Sequence, residues 1–437
     1  MNQAESEALA CRFKELGCTI TAGDSADVFV INTCSVTHIA DRKSRHLVRM
    51  LRKLNPLALI AVTGCYAEWD ADSLKECGAD VVVGNAGKAS VPELIERRIK
   101  AITPAKRKVD LPGRVRSFIK IQDGCRNFCA YCIVPLLRRD VYGVPPEVVI
   151  GEVNSKASRG CKEVVLTGTE IGSYNCGGLG LTGLLERVLN ETAIDRLHLT
   201  SLQPQEIDGE LLGLWQSPRL VRHFHLALQS GSDSVLRRMR RRYDTDKYAG
   251  AVGLIRSLAP DASITADVMA GFPGETDEEF WESYNFCERM HFSAMHIFAY
   301  SPRPGTKAAG MPGKVDEKAK KERSLRMLDL AARSADEYAR RFIGQTRPVL
   351  WENEVKDGSC IYQGLTDNYL RVYSLGKDEI ANKILNARLT ALATSIANRA
   401  LRSCTRGNSG ELWSELDEDQ YQGHAALNAG RSSQAGR

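Results

Sequence analysis

The stretch "DGCRNFCAYC", residues 123–132, gathers Cys125, Cys129 and Cys132 into one short loop behind a β-rich run. Thiolates are ligands of choice for zinc and for iron–sulfur clusters. A structural zinc site closes with four donors, commonly two CxxC pairs from separate turns, so a single CxxxCxxC loop fits zinc poorly. A cubane cluster has four irons, and three thiolates leave one iron open to a ligand the protein does not supply. Two more cysteines close strand-like runs, Cys34 in "INTCSVT" and Cys65 in "VTGCYAE". In an open α/β sheet such positions share the edge where ligands bind. Taken singly, each of these two also fits an ordinary buried core cysteine.

The 13 cysteines are odd in number and irregularly spaced. That argues against a disulfide framework and for reduced thiols in a cytoplasmic protein. The opening "MNQAESEALACRF" lacks the basic-then-apolar layout of a signal peptide. No apolar run approaches the roughly 18–20 residues of a membrane span. A chain of 437 residues with 26% charged and 43% hydrophobic residues reads as a globular protein of two or three domains. Its net charge of +5 is compatible with nucleic acid without specifying it.

The elements that must hold these cysteines follow from periodicity. Residues 1–100 alternate helical patterns with the short β-rich runs "DVFVIN" (27–32), "ALIAVTG" (58–64) and "ADVVVG" (79–84). This predicts a doubly wound α/β layer. Between Arg97 and Lys120 the chain carries nine Lys or Arg against one Asp, a basic linker placed at 101–116. A second α/β series fills 117–342, with strands expected at 117–122, 163–168, 196–201, 223–229, 264–272 and 294–300. Six β/α units predict a parallel barrel, complete or partial, with functional residues at the C-terminal strand ends. Residues 343–394 read as a small all-β barrel, and the polar tail 395–437 as disordered.

The cysteine loop resembles the radical S-adenosylmethionine superfamily, in which the open iron is filled by the amino and carboxylate groups of S-adenosylmethionine. Tyr131 matches the aromatic residue that packs near the adenine. More widely, "MNQAESEAL", "VINTCSVTHIADRKSR", "VTGCYAE", "IQDGCRNFCAYCIVP", "LTGTEIGSY", "LALQSGSDSVLRRMRRRY" and "AGFPGETDEEF" occur in the order of the methylthiotransferases. The resemblance implies two [4Fe-4S] clusters. One sits on Cys125, Cys129 and Cys132; an auxiliary one lies in the N-terminal domain, with Cys34 and Cys65 as metal ligands. The family holds that auxiliary cluster with a third cysteine closing the first strand. This chain starts at Met1-Asn2-Gln3, just after that point, so the first strand and third ligand are missing as written. Cys11 and Cys18 occupy no equivalent position.

By position, the resemblance assigns S-adenosylmethionine contacts to Thr167, Glu170, Ser201, Gln203, Gln229 and Ser230. Gln203 stands where relatives commonly carry Glu, and "PLLRRDVYGVPPEVV" departs from the family's usual run after the cysteine loop. The last domain resembles the β-barrel called TRAM. It counts six basic against six acidic residues, so its expected role with RNA rests on resemblance alone. Arg237, Arg238, Arg240, Arg241 and Arg242 could neutralise phosphates, or form a solvated helix face.

"THIADRKSR" and "RMRRRY" look most like the branch that acts on N6-threonylcarbamoyladenosine in tRNA. The implied activity is transfer of a methylthio group to C2 of that nucleoside at position 37. A flavodoxin or ferredoxin is the expected electron donor, the sulfur donor is unspecified, and a monomer is expected. Two rival readings are a methylthiotransferase for a ribosomal-protein aspartate, and an inactive RNA-binding homologue without a complete auxiliary cluster.

Overall fold

A computed structural model of the chain describes residues 1–21, 25–99, 115–376, 380–393 and 410–416. The basic linker read at 101–116 lies outside them except for its last two residues, as does most of the tail. The chain forms two compact units. One comprises Met1–Val149, Leu166–Leu181 and Ser301–Pro312; the other comprises Ile150–Val165, Thr182–Tyr300 and Gly313–Arg437.

The first unit opens with helix α1 (Asn2–Glu15) and continues into a parallel sheet of β1 (Val28–Thr33), β2 (Leu59–Gly64) and β3 (Val81–Val83), in that order. Helix α2 (His38–Leu54) follows β1, capped by the Thr37 hydroxyl, which accepts from Ala40 N–H at 3.2 Å. One sheet face packs Ile31, Ile60 and Val62 against Val48 and Leu51 of α2. The other packs Ala61 and Val81 against Leu9 and Phe13 of α1 and Val91 and Ile95 of the helix Val91–Ile99. Burial on both faces is why these strands read as continuous apolar runs rather than alternating ones. The same unit contains β4 (Arg116–Asp123), paired antiparallel with β5 (Tyr142–Gly143). The strand β6 (Glu163–Gly168) follows, then the short hairpin β7 (Asn175–Cys176) and β8 (Leu179–Gly180).

In the second unit, β9 (Arg196–Leu199), β10 (His223–Gln229), β11 (Ser263–Ala270) and β12 (Ala294–Ala299) alternate with helices, among them Thr245–Leu258 and Asp277–Met290. Strands β10, β11 and β12 pair in parallel, and the other sheet has the order β5-β4-β6-β9. The six strands expected from the sequence are therefore all present, each within two residues of its expected bounds. The fold is α/β with the partial-barrel arrangement. Among the described residues no helix is long and apolar enough to cross a membrane.

A closed barrel follows, ordered β13-β14-β15-β17-β16. Its strands are β13 (Thr346–Glu354), β14 (Ile361–Thr366), β15 (Arg371–Leu375), β16 (Ile384–Leu392) and β17 (Leu412–Leu416). Trp351, Val349, Val372, Ala387, Leu389 and Leu412 fill it. The strand β17 corrects the expectation of a disordered tail over 395–437. It pairs with β15 on one side and β16 on the other, so the barrel closes through it. Leu412 and Ser414 are buried, an alternation too short to stand out in a polar segment.

Candidate functional site

The loop after β4 takes its shape from backbone that only glycine allows cheaply. Gly124 has φ +76°, and a Cβ there would lie 2.4 Å from the carbonyl oxygen of Asp140. The chain then runs without regular structure through Cys125, Cys129 and Cys132, none of them in a disulfide and all of intermediate exposure. Cys132 N–H donates to the Cys129 carbonyl at 3.0 Å, closing a turn between the last two. Cys132 is close enough that its charge would raise the Cys125 pKa.

Cys125 is also tied to Glu170. Its thiol donates to Glu170 Oε2 at 3.2 Å, and Asn127 Nδ2 donates to the other carboxylate oxygen. Burial pushes the Cys125 thiol up to about 12, with the Glu170 charge adding to the rise and the Asn127 N–H opposing it. A thiol this reluctant to ionise becomes a thiolate beside a bound cation, which is what a cluster iron supplies. Three cysteines in one loop, none used in a disulfide, fit a cluster.

The side chain that fixes this loop is one that spacing alone does not single out. Gln122 is fully buried. Its Nε2 donates to the carbonyls of Asp123 at 2.9 Å and Gly124 at 2.7 Å, and its Oε1 accepts from Glu170 N–H at 2.8 Å. One amide thus joins the start of the cysteine loop to the residue that contacts Cys125. Beside it, Arg138 donates to both oxygens of Asp123 at 2.9 Å and to Glu5 Oε1 at 2.8 Å. Lys88 reaches Glu5 Oε2 at 2.5 Å, and Thr169 donates to Asp123 Oδ1 at 3.0 Å. Burial works to raise the Glu5 carboxyl, but Arg138 and Lys88 overcome it and hold Glu5 down to about 2. The available sequence signal was a polar residue at a buried position of β4 and charges flanking the cysteines.

Cys34 and Cys65 stand next to the ends of adjacent strands. The parallel register sets Thr33 opposite Gly64, so the following residues are neighbours. Burial raises the Cys34 thiol, and the nearby Cys65 charge adds to this. Asn85 Nδ2 donates to Cys65 Sγ at 3.7 Å, and Lys88 and Arg138 lie within electrostatic reach of that sulfur. Behind Cys34, the buried Arg303 donates to Asp41 Oδ2 and to Ser35 Oγ, both at 2.7 Å. The pair offers two thiols. Cys11 and Cys18 lie in and just after α1.

The remaining sequence-derived residues divide between the units. Tyr131, Thr167 and Glu170 belong to the first. Thr167 is buried and accepts from the Met1 ammonium at 3.0 Å. Ser201, Gln203, Gln229 and Ser230 belong to the second, at the C-terminal ends of β9 and β10 or just beyond. Gln203 accepts from Arg241. Gln229 has φ +70°, and its buried Oε1 has no partner among the described residues. A non-glycine residue in that conformation with an unsatisfied acceptor is the kind of local misfit that ligand sites carry. Ser230 is fully buried and accepts from Ser232 N–H at 3.2 Å.

Comparison with known proteins bears on the same segments. The model of the Radical SAM superfamily matches residues 119–287, and that of uncharacterized protein family UPF0004 matches residues 1–84. The chain is 35% identical to threonylcarbamoyladenosine tRNA methylthiotransferase MtaB of Bacillus subtilis (strain 168), over 89% of this chain and 91% of that protein. It is 36% identical to the protein of the same name from Aquifex aeolicus (strain VF5), over 88% of this chain and 96% of that one. It is 33% identical to tRNA-2-methylthio-N(6)-dimethylallyladenosine synthase of Pelotomaculum thermopropionicum, over 89% and 93%.

Proposed function

The chain belongs to the radical S-adenosylmethionine methylthiotransferases, and from that premise we propose that it adds a methylthio group to C2 of N6-threonylcarbamoyladenosine in tRNA. The observation that carries the chemistry is the clamped loop of three cysteines outside any disulfide, Cys125, Cys129 and Cys132. The choice of nucleoside is supported by identity. It is 35% and 36% to the relatives named for threonylcarbamoyladenosine and 33% to the one named for dimethylallyladenosine.

When bound to the three thiolates, a [4Fe-4S] cluster supplies the single electron that cleaves S-adenosylmethionine. The chain's own residues prepare that site. Asn127 N–H, 3.4 Å from Cys125 Sγ, favours the thiolate over the thiol. Gln122 holds the loop against the residue bearing Glu170, so the three sulfurs keep one geometry when metal arrives. Cys34 and Cys65 are proposed as ligands of the auxiliary cluster, with Lys88 and Arg138 supplying positive charge beside Cys65. A flavodoxin or ferredoxin belongs to the proposal as electron donor.

The test is nucleoside analysis of tRNA from a strain lacking the 2-methylthio derivative of N6-threonylcarbamoyladenosine, complemented with this chain. The derivative is expected to appear, and to vanish with Cys125→Ala. Methylthiolation of dimethylallyladenosine, or of a ribosomal-protein aspartate, in place of it would overturn the assignment.

A further inference from the structure

Three neighbouring strands of the second unit present a set of donors that the cluster chemistry does not use. Side chains alternate along a strand, so His223 and His225 of β10 share a face. In the parallel register Thr265 of β11 lies opposite His225, and Asp267 lies opposite His296 of β12. One face of β10, β11 and β12 therefore carries His225, Thr265, Asp267 and His296. One ligand atom from each of His225, Asp267 and His296 falls within 4.8 Å of the others. His225 Nε2 and Asp267 Oδ2 are 3.2 Å apart, and the His225 and His296 ring centres are 5.7 Å apart. Donors sharing one first-row metal at about 2.1 Å lie about 3.0–3.4 Å apart. His296 is exposed, which leaves its side chain room to turn toward the other two donors.

The surroundings are arranged as ligating histidines require. His225 Nδ1 is 2.9 Å from Thr265 Oγ1. With the proton on Nδ1, that hydroxyl accepts it and the Nε2 lone pair points at the Asp267 carboxylate. Two acceptors then face each other, and a cation between them resolves the conflict. Thr265 Oγ1 also meets His223 Nε2 at 3.0 Å, and His223 Nδ1 meets His198 Nε2 at 2.8 Å. This chain of hydrogen bonds holds the His225 ring by its far nitrogen, as outer partners do in metal sites. All three donors line a cavity of about 530 Å³ whose walls also include Ser201 and Arg371. It leaves room for water at the coordination positions the protein does not fill.

We propose that His225, Asp267 and His296 bind one divalent first-row transition-metal ion. Two imidazoles and a carboxylate with open positions suit Mn²⁺, Fe²⁺, Co²⁺ or Zn²⁺, and contain no thiolate. The site stands whichever nucleoside the enzyme modifies.

Mn²⁺ is the probe for the test, because thiolates favour softer ions and the cysteines then compete little. It is titrated into the anaerobically reconstituted full chain, and the free-ion EPR signal counts what remains unbound. One Mn²⁺ per chain is expected, weakened about tenfold or more by Asp267→Asn and by His296→Gln. Pulsed EPR of the bound ion is expected to show imidazole nitrogen couplings that diminish in His225→Gln. Cluster iron is measured alongside. If Asp267→Asn loses it through misfolding, the exposed His296→Gln decides. Absence of Mn²⁺ binding by the unaltered chain, or binding unchanged in His296→Gln, overturns the proposal and leaves a proton as the occupant between His225 and Asp267.

Discussion

Gln122 shows how much of the cysteine loop can hang on one neutral side chain. Replacing it by Leu removes the donor to Asp123 and Gly124 and the acceptor for Glu170 N–H, all in a buried place. Each buried group left unsatisfied costs about 1–3 kcal/mol. Gln122→Leu is therefore expected to lower the thermal midpoint and the iron content per chain together, as melting curves and iron assays would read. Glu170 gives a separate handle. Its charge adds to the burial that raises Cys125. In cluster-free protein, Glu170→Gln is expected to shift the pH midpoint of Cys125 alkylation downward. The midpoint stays above the ordinary thiol range, because burial is the larger cause. The three cysteines were legible because their relation is covalent and local. Gln122 was not, because its partner Glu170 is 48 positions away and only folding joins them.

At the scale of elements, the sequence disclosed the strands well wherever both faces are buried. "EVVLTG" and "HFHLALQ" appear with the bounds read from their apolar runs. The helix Asp277–Met290 starts at a reciprocal cap. Thr276 caps it by accepting from Glu279 N–H at 3.3 Å, and Glu279 accepts in return from Thr276 N–H at 3.0 Å. Strand β17 was illegible, since its stability comes from β15 and β16 rather than from its own composition. The end of β2 carries a sharper constraint. Gly64 has φ +102°, and a Cβ there would fall 2.3 Å from the Thr33 carbonyl oxygen. Gly64→Ala must push β1 and β2 apart at the point where Cys34 and Cys65 follow. A strained residue of this kind costs about 1–3 kcal/mol. The expected outcome is a less stable first unit with iron lost from the proposed auxiliary site first, checked by iron content in the Gly64→Ala chain against a Cys125→Ala chain.

At the scale of the whole molecule, one buried ion-paired group makes the first unit sensitive to acid. The first unit contains Glu5, Lys88, Lys120, Asp123 and Arg138 in one ion-paired group. Glu5 is 7% exposed, with a folded pKa of about 2 against an ordinary 4.5. Asp123 is likewise lowered, burial opposing and Arg138 and Lys120 prevailing. A carboxyl held below its unfolded value stabilises the fold fully above that value and loses the contribution as pH falls through the folded one. The window for Glu5 thus runs from about pH 4.5 down to about 2, and the contribution is on the order of 3 kcal/mol. Glu5→Gln removes the titrating group yet leaves Arg138 and Lys88 short of a partner, a loss of about 3–5 kcal/mol for a broken buried pair. The two chains are therefore expected to differ most at neutral pH and to converge in acid. Peptide-resolved hydrogen exchange over α1 and β4, in urea at pH 6, 4 and 3, measures this. Parallel slopes for wild type and Glu5→Gln would show that Glu5 is not the group whose protonation loosens the cysteine loop.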